Sequence, residues 1–488
     1  MKFTIHIFYL IFVVFTFLNI SMAQAPDTLW AKSIDINKYE CAYEVKQTSD
    51  HGFIIVAETL EPYTGTYQKV LLIKTDADGD TMWTKIYGGT WPQFGYSLDT
   101  TSDGGCVITG HIGYPLGPNW DQIFLLKTDQ NGDSLWQKEY GGTDLDYSFS
   151  VRQTSDNGYI IAGSEGSGNT TNFLLIKTDS SGNLSWSSEY GGVVSESANS
   201  VQQTSDNGYI LTGYTYSFGS GSNPDLYLVK TDSLGDTLWT KVYGGDEYDY
   251  GKYVSQTLDN GYIVIGTTES FGLEAQNIWL LRTDANGDTI WTKTFGDSNA
   301  SDAQSGQQTA DGGYIIGGST NRYPYSTKFW LIKTDENGDT LWTKYMRDYN
   351  SRSEINSIQQ LSDEGYIATG YQGTMNATDI MLIRFGYTSS TGISGEKIII
   401  DNYKLQQNYP NPFNPSTTIS YSLPYAGVVN IKIYDVLGKK IKTLIDEFQS
   451  YGDHTIQFNA SNLASGIYFY RLEVGNEIIA TKKMLLIR

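Results

Sequence analysis

Carboxylates are the side chains with the most chemical potential in this chain, which carries 54 Asp and Glu against 33 Lys and Arg for a formal net charge of −21. Two stretches concentrate them. Asp76-Ala77-Asp78-Gly79-Asp80 suggests a calcium loop, and Asp246, Glu247 and Asp249 together suggest the paired acids of a glycosidase. A calcium loop of the EF type, counted from Asp76, needs Gly at its sixth position and Glu at its twelfth; Thr81 and Tyr87 stand there. The histidines offer little. His6 falls in an N-terminal targeting segment, His51 in a hairpin turn, His111 in a loop and His454 in a separate domain, so they build no triad and no His-rich metal site. Solvated surface is the simpler reading of the acids. No catalytic residue, metal ligand or cofactor site is assigned, and the balance favours a protein that is not an enzyme.

A second chemistry is stacking. Tyr and Trp beside Asp and Asn suit the apolar faces of sugar rings, with hydrogen bonds to the hydroxyls. Trp91, Trp120, Tyr216, Tyr248, Tyr250 and Tyr323 are the candidate ligand-binding residues, all in segments that differ from one part of the chain to the next. The alternative is that these rings only cover the ends of sheets.

What positions them is a repeat. "QTSDNGYI" occurs at Gln153–Ile160 and again at Gln203–Ile210, with variants elsewhere. Its glycines are Gly52, Gly105, Gly158, Gly208, Gly261, Gly313 and Gly365, spaced 53, 53, 50, 53, 52 and 52 apart. Trp30, Trp83, Trp136, Trp186, Trp239, Trp291 and Trp342 keep the same period and read as core. Each unit reads as four short strands, A to D. A and B are joined by a Ser-Asp-Asn-Gly hairpin in which Asn-Gly supplies positive φ. C and D are joined by Thr-Asp-x-x-Gly-Asp, a turn recurring in six units, which makes its aspartates turn chemistry rather than metal ligands. Strand C is apolar enough to be covered on both faces, and strand D is half polar, as an outer strand should be.

The ends of the array are complementary. The segment Asp27–Lys32 is a D strand with nothing before it, and Ile355–Phe385 supplies A, B and C with no D after it. The expected fold is therefore an all-β, seven-bladed β-propeller with four-stranded blades, closed three-plus-one by the N-terminal strand, over residues 26–386. The A–B and C–D turns then share one face and are nearly constant. The B–C and D–A connections share the other, vary from blade to blade, and are where binding is expected. Cys41 and Cys106 fall towards opposite faces, so no disulfide is expected.

Beyond a Gly- and Ser-rich linker at 387–403, residues 404–488 alternate as a small β-sandwich. "NYPNPFNPSTTI", "IYDVLGKKI", "GIYFYRL" and the terminal "KKMLLIR" together resemble the type A C-terminal sorting domain of the type IX secretion system. That resemblance implies an Ig-like sandwich read by the outer-membrane translocon of certain Gram-negative bacteria. It makes Tyr409, Pro410, Asn411, Pro412, Phe413, Asn414, Pro415, Lys482 and Lys483 the sorting motif. It also implies Sec export first. Residues 1–25 fit this: Met1-Lys2, an apolar run from Phe3 to Leu18 and Ala23-Gln24-Ala25 form a signal peptide, with the mature chain starting near Pro26 and holding no transmembrane segment. The acidic balance excludes a general affinity for nucleic acid. The function expected is that of an exported cell-surface or released propeller that binds a glycan or protein. A secreted polysaccharide-acting enzyme using loop carboxylates and a structural surface adhesin are the alternatives.

Overall fold

In the computed structural model the chain is all-β, described from residue 25 to 487 except at 38, 61–66, 115–120, 168–169, 220, 274, 297–298, 323–325, 347–351, 375–376, 388–403, 424–426, 450–451 and 475–476. The expected signal peptide and linker thus lie almost wholly outside the described residues. So do two candidate binding residues, Trp120 and Tyr323.

The repeat forms sheets because its signature residues hold one another. β2 (Glu40–Gln47), β3 (Phe53–Leu60), β4 (Gln68–Thr75) and β5 (Thr81–Tyr87) follow β1 (Asp27–Ile34), and β2 to β5 form one antiparallel sheet in that order. β4 is buried beyond its first residue, whereas β5 alternates exposed with half-buried residues. Between residues 27 and 386 the described residues form seven such four-stranded sheets, six of them contiguous in sequence. In the other, β1 pairs antiparallel with the strand Ala377–Gly386, Ala31 opposite Ile383 and Lys32 opposite Leu382.

The A–B hairpin and strand C are fastened to each other. Asn157 takes a φ of 63° at the turn. Gly158, next to it, is needed for room: a Cβ there would lie 2.2 Å from the Thr178 carbonyl oxygen and 2.4 Å from Lys177 Nζ. That ammonium passes over the glycine to Asp156, 2.9 Å away. The same ion pair recurs in the other six sheets, as Lys74–Asp50, Lys127–Asp103, Lys230–Asp206, Arg282–Asp259, Lys333–Asp311 and Arg384–Asp363. The "SDNG" and "LLIKTD" phrases therefore persist together because each completes the other.

The C–D turn is backbone chemistry. Asp76 Oδ1 accepts hydrogen bonds from the amides of Asp78 and Asp80, at 3.0 and 2.8 Å, and Gly79 takes a φ of 79°. The tryptophan of one sheet lies on the turn of the next: a Cβ on Gly79 would come within 2.6 Å of the Trp30 ring. Trp136, Trp186 and Trp239 also meet Tyr159, Tyr209 and Tyr262 of the neighbouring sheet edge-on, at 6.0, 5.8 and 5.7 Å. They bridge sheets and pack against the hydrophobic clusters between them. Only Trp342 of the seven is buried; the other six are half-buried, because their outer edge sits on a solvent-facing strand.

Inner strands are linked by one recurrent bond. A serine hydroxyl oxygen accepts from the amide of the next inner strand: Val151 N to Ser97 Oγ at 3.2 Å, Val201 N to Ser150 Oγ at 3.3 Å, Val254 N to Ser200 Oγ at 3.3 Å and Ile358 N to Ser305 Oγ at 3.3 Å. Val45 N makes the same bond to Ser357 Oγ at 3.3 Å, joining β2 to the strand Arg352–Gln360.

Residues 404–486 form two further antiparallel sheets, of three and four strands, around a core of their own that includes Phe413, Ile419, Tyr421, Ile431, Tyr470 and Met484. Among the described residues no helix is long and apolar enough to cross a membrane.

Candidate functional site

Each inner strand carries a β-bulge at the same place, and the bulges build a site. The pairing register slips between Ala42 and Glu44, Gly95 and Ser97, Ser148 and Ser150, Ala198 and Ser200, Gly251 and Tyr253, Ala303 and Ser305, and Ile355 and Ser357. The residue left over is Tyr43, Tyr96, Phe149, Asn199, Lys252, Gln304 or Asn356. A bulge re-aims the side chain it releases. All seven released side chains line one cavity of about 910 Å³, within the usual range for small-molecule sites.

Its walls differ in chemistry. Tyr43, Tyr96 and Phe149 form a continuous aromatic arc: Tyr43 meets Tyr96 edge-on at 5.0 Å, and Tyr96 stacks with Phe149 at 5.6 Å. Opposite stand two asparagines, a glutamine and a lysine. Asn199 donates from Nδ2 to the Gly251 carbonyl at 2.8 Å and Asn356 to the Ala42 carbonyl at 2.7 Å, which holds both amides in place and leaves their oxygens as acceptors. Lys252 makes no ion pair among the described residues. Glu58 and Glu354 also line it, with Tyr39, Cys41, Tyr371 and Thr378. Burial raises the Glu58 carboxyl above its ordinary value, although a hydrogen bond with Tyr43 pulls the other way.

A smaller pocket of about 130 Å³ shares all seven released side chains and adds an ionic plug, Glu44, Lys46 and Arg152, to its lining. Arg152 reaches across from its own inner strand to Glu44 at 3.0 Å, and Lys46 pairs with the same carboxylate at 2.9 Å. Ser97 Oγ and Leu98 N also donate to it, at 2.7 and 3.0 Å. Burial works against the charge of Glu44, but Arg152, Lys46 and Ser97 outweigh it and hold the group down at about 2. The plug belongs to structure; the cavity above it is open to a ligand.

The four expected binding residues among the described ones lie elsewhere. Tyr216, Tyr248 and Tyr250 do come together around Tyr214: Tyr214 lies 5.9 Å from Tyr216 and 5.3 Å from Tyr250, and Tyr248 stacks on Tyr250 at 6.2 Å. Trp91 pairs instead with Tyr114, at 6.4 Å. None of these four expected residues lines the cavity. His111 stands in the strand Cys106–Ile112 and not in a loop; it is buried, stacked on Phe94 at 4.5 Å, and burial lowers it to about 4 in spite of Asp121. Asp249 is buried too, and accepts from Gly245 N at 3.0 Å and Ser270 Oγ at 2.6 Å, so it ties a loop down. Cys41 and Cys106 are both free thiols.

The sorting motif gathers two ends of the C-terminal unit. Asn411 Oδ1 accepts from Leu485 N at 2.9 Å, Phe413 N donates to the Leu485 carbonyl at 3.0 Å, and Gln407 donates to the Lys483 carbonyl at 2.7 Å. Phe413 is buried, whereas Tyr409, Pro410, Asn411, Pro412, Asn414 and Lys483 are exposed and Pro415 and Lys482 half-exposed. "NYPNPFNP" and "KKMLLIR" thus form one surface.

Residues 407–487 match the family described as the secretion system C-terminal sorting domain. This tail implies a type IX secretion cargo that meets the secretion machinery and is exported across the outer membrane, to the cell surface or beyond. A comparison with curated proteins finds no match. Among solved structures, PorZ, an essential bacterial surface component of the type-IX secretion system of Porphyromonas gingivalis, aligns with a TM-score of 0.34 and 11% identity over 90% of this chain and 69% of that one. Sqt1 from Chaetomium thermophilum aligns at 0.42 with 9% identity, over 72% of this chain and 85% of that one. Such scores say nothing about function.

Proposed function

We propose that residues 26–386 are a closed seven-bladed β-propeller, delivered by the Ig-like unit 404–488 after Sec export directed by residues 1–25, that binds a glycan in its central mouth without turning it over. The pairing of β1 with Ala377–Gly386 and the Val45–Ser357 bond support closure. The binding reading rests on one observation: an aromatic arc and an arc of amides and a lysine line a single cavity. An oligosaccharide offers both surfaces such a site needs, apolar ring faces for Tyr96 and Phe149 and hydroxyls for Asn199, Gln304 and Asn356. Tyr216, Tyr248 and Tyr250, with Trp91, are proposed as further stacking platforms on the variable face.

Glycan-array binding by the mature chain, followed by titration of the best binder, tests this. Tyr96→Ala and Lys252→Ala should each weaken binding about tenfold or more, the lysine change with an unchanged Tm. Undiminished affinity in both variants removes the mouth as the site. A second reading, an enzyme acting on polysaccharide, has Glu58 and Glu354 in its favour, since both carboxylates line the same cavity. Product release that disappears in Glu58→Gln or Glu354→Gln would decide for it.

A further inference from the structure

The place where β1 meets the rest of the array carries a cluster of acids that the repeat does not require. One carboxylate oxygen each from Asp35, Glu40 and Asp379 lies within 4.8 Å of the others. Glu40 is fully buried. Its Oε1 accepts from Asn37 N at 2.6 Å and Thr59 Oγ1 at 3.1 Å, but its Oε2 is buried with no hydrogen-bond partner among the described residues. Asp146, at the equivalent place in another sheet, also has an orphaned oxygen, so what sets Glu40 apart is the company of two more carboxylates, which is costly unless something positive sits among them.

Equivalent positions in the other sheets show what normally stands there. Glu40 lies twelve residues before Gly52; the residues in that place in the next three inner strands are Gln93, Asp146 and Glu196. The residue in the place of Asp379, five before the Lys or Arg of "LLIK" or its variant, is Lys69, Gln122 or Asn172 in the sheets that pack against those strands. Gln122 Nε2 donates to Asp146 Oδ2 at 3.4 Å; Asn172, whose Nδ2 donates to Glu189 at 2.9 Å, stands beside the Glu196 carboxylate where both crowd Gly191. An acid is thus met by an amide, and a lysine by a glutamine. Asp379 breaks the pattern by meeting an acid with an acid, and Asp35, which takes the place held by Gly88 in the first repeat, adds a third. Asp225 facing Asp249 is the other acid pair, and no third carboxylate comes within the same range there among the described residues.

We propose that Asp35, Glu40 and Asp379 bind a divalent cation, calcium by their all-carboxylate oxygen set, which fastens the N-terminal strand to the last sheet. Two oxygens each about 2.4 Å from one calcium ion can stand no more than about 4.8 Å apart, and one oxygen from each of the three residues lies within that limit of the others. The three residues come from the end of β1, the start of β2 and the strand Ala377–Gly386, so the ion ties together three segments that meet only if the chain's ends do. Waters and neighbouring carbonyl groups supply the remaining ligands, as is usual for calcium. Burial and the charges of Asp35 and Asp379 push the Glu40 carboxyl up, which is the strain a cation relieves.

The test is thermal unfolding of the mature chain, stripped with EDTA and titrated with calcium or magnesium alone. Calcium should raise Tm by about 2–4 °C at saturation, and magnesium by less. Asp35→Asn/Asp379→Asn should lose the calcium shift. Asp379→Lys, which borrows the lysine found at the equivalent position 69, should raise Tm in EDTA and abolish the response. A parent Tm indifferent to calcium, or a calcium shift that survives in the double variant, overturns the proposal. So does a stripped parent that gains its stability only on acidification, because a shared proton then does the ion's work.

Discussion

Glu44 stands where most other inner strands place a serine, and that exchange decides what lies under the mouth. A serine passes one hydrogen bond to the next strand; Glu44 takes up a guanidinium from two sheets away, an ammonium, a hydroxyl and an amide. Its pKa is held at about 2, below the ordinary 4.5, so its contribution is fully present above the ordinary value and is lost as pH falls from there through about 2. Glu44→Gln leaves Arg152 buried beside a neutral group and should cost about 3 kcal/mol at neutral pH. Plotting Tm from pH 5 to 2 for parent and variant checks this: the two curves should converge at low pH, and parallel curves would show that the pair contributes nothing. Residues such as these were half legible. Asp156 and Lys177 stand out as repeated letters, but only coordinates show that they hold each other. The residues proposed for the mouth did not stand out because variability was sought in loops. Their signal was in the strands: Ala42 and Val45, or Ala198 and Val201, are inward residues three apart where an unbroken strand spaces them by two, and the released residue between them changes in nearly every repeat.

Elements were the most readable level, because a period of about 52 residues writes each strand's environment seven times over. The four-strand unit, the covered C strand and the half-polar D strand all followed from apolar patterning. The tryptophans did not, since repetition shows that a ring is structural without showing whether it lies within a sheet or between two. Two changes test the elements. Gly158→Ala forces a Cβ against the Thr178 carbonyl at 2.2 Å and under Lys177, and should destabilise by about 1–3 kcal/mol, read from chemical denaturation. Gly104→Ala, where a Cβ has 3.9 Å to its nearest neighbour, meets no such crowding and pays only for its φ of 86°. Deleting residues 26–34 exposes the strand Ala377–Gly386, which is buried over its last seven residues, as a bare apolar edge. Such an edge invites pairing with another chain, so the truncated protein should associate in size-exclusion chromatography where the parent stays monodisperse. A monomer of unchanged Tm would mean that β1 closes nothing.

For the whole molecule, cargo and address are written in different physical languages. The address was read from motifs: Asn411, Phe413, Leu485 and Lys483 sit some 75 residues apart in sequence, yet hydrogen bonds bring them to one surface with Tyr409 exposed beside them. The cavity proposed as the mouth was not readable, because it is assembled one residue per repeat and no single stretch contains it. The buried core of residues 405–486 is made only of their own side chains, so they have what is needed to fold as a unit. A chain ending at residue 387 should therefore keep the parent's ligand affinity and its calcium-dependent Tm, since every residue of the mouth and of the acidic cluster precedes that point. What it should lose is delivery. Expressed in a host with a type IX system, it should accumulate in the periplasm, while the full chain reaches the surface or the medium, as fractionation with an antibody to the repeat region would show. If instead the shortened chain appears outside, the determinants for export lie among the repeats and the tail is dispensable. If it is retained but no longer binds, the tail contributes to the mouth, and the division of labour between the two parts fails.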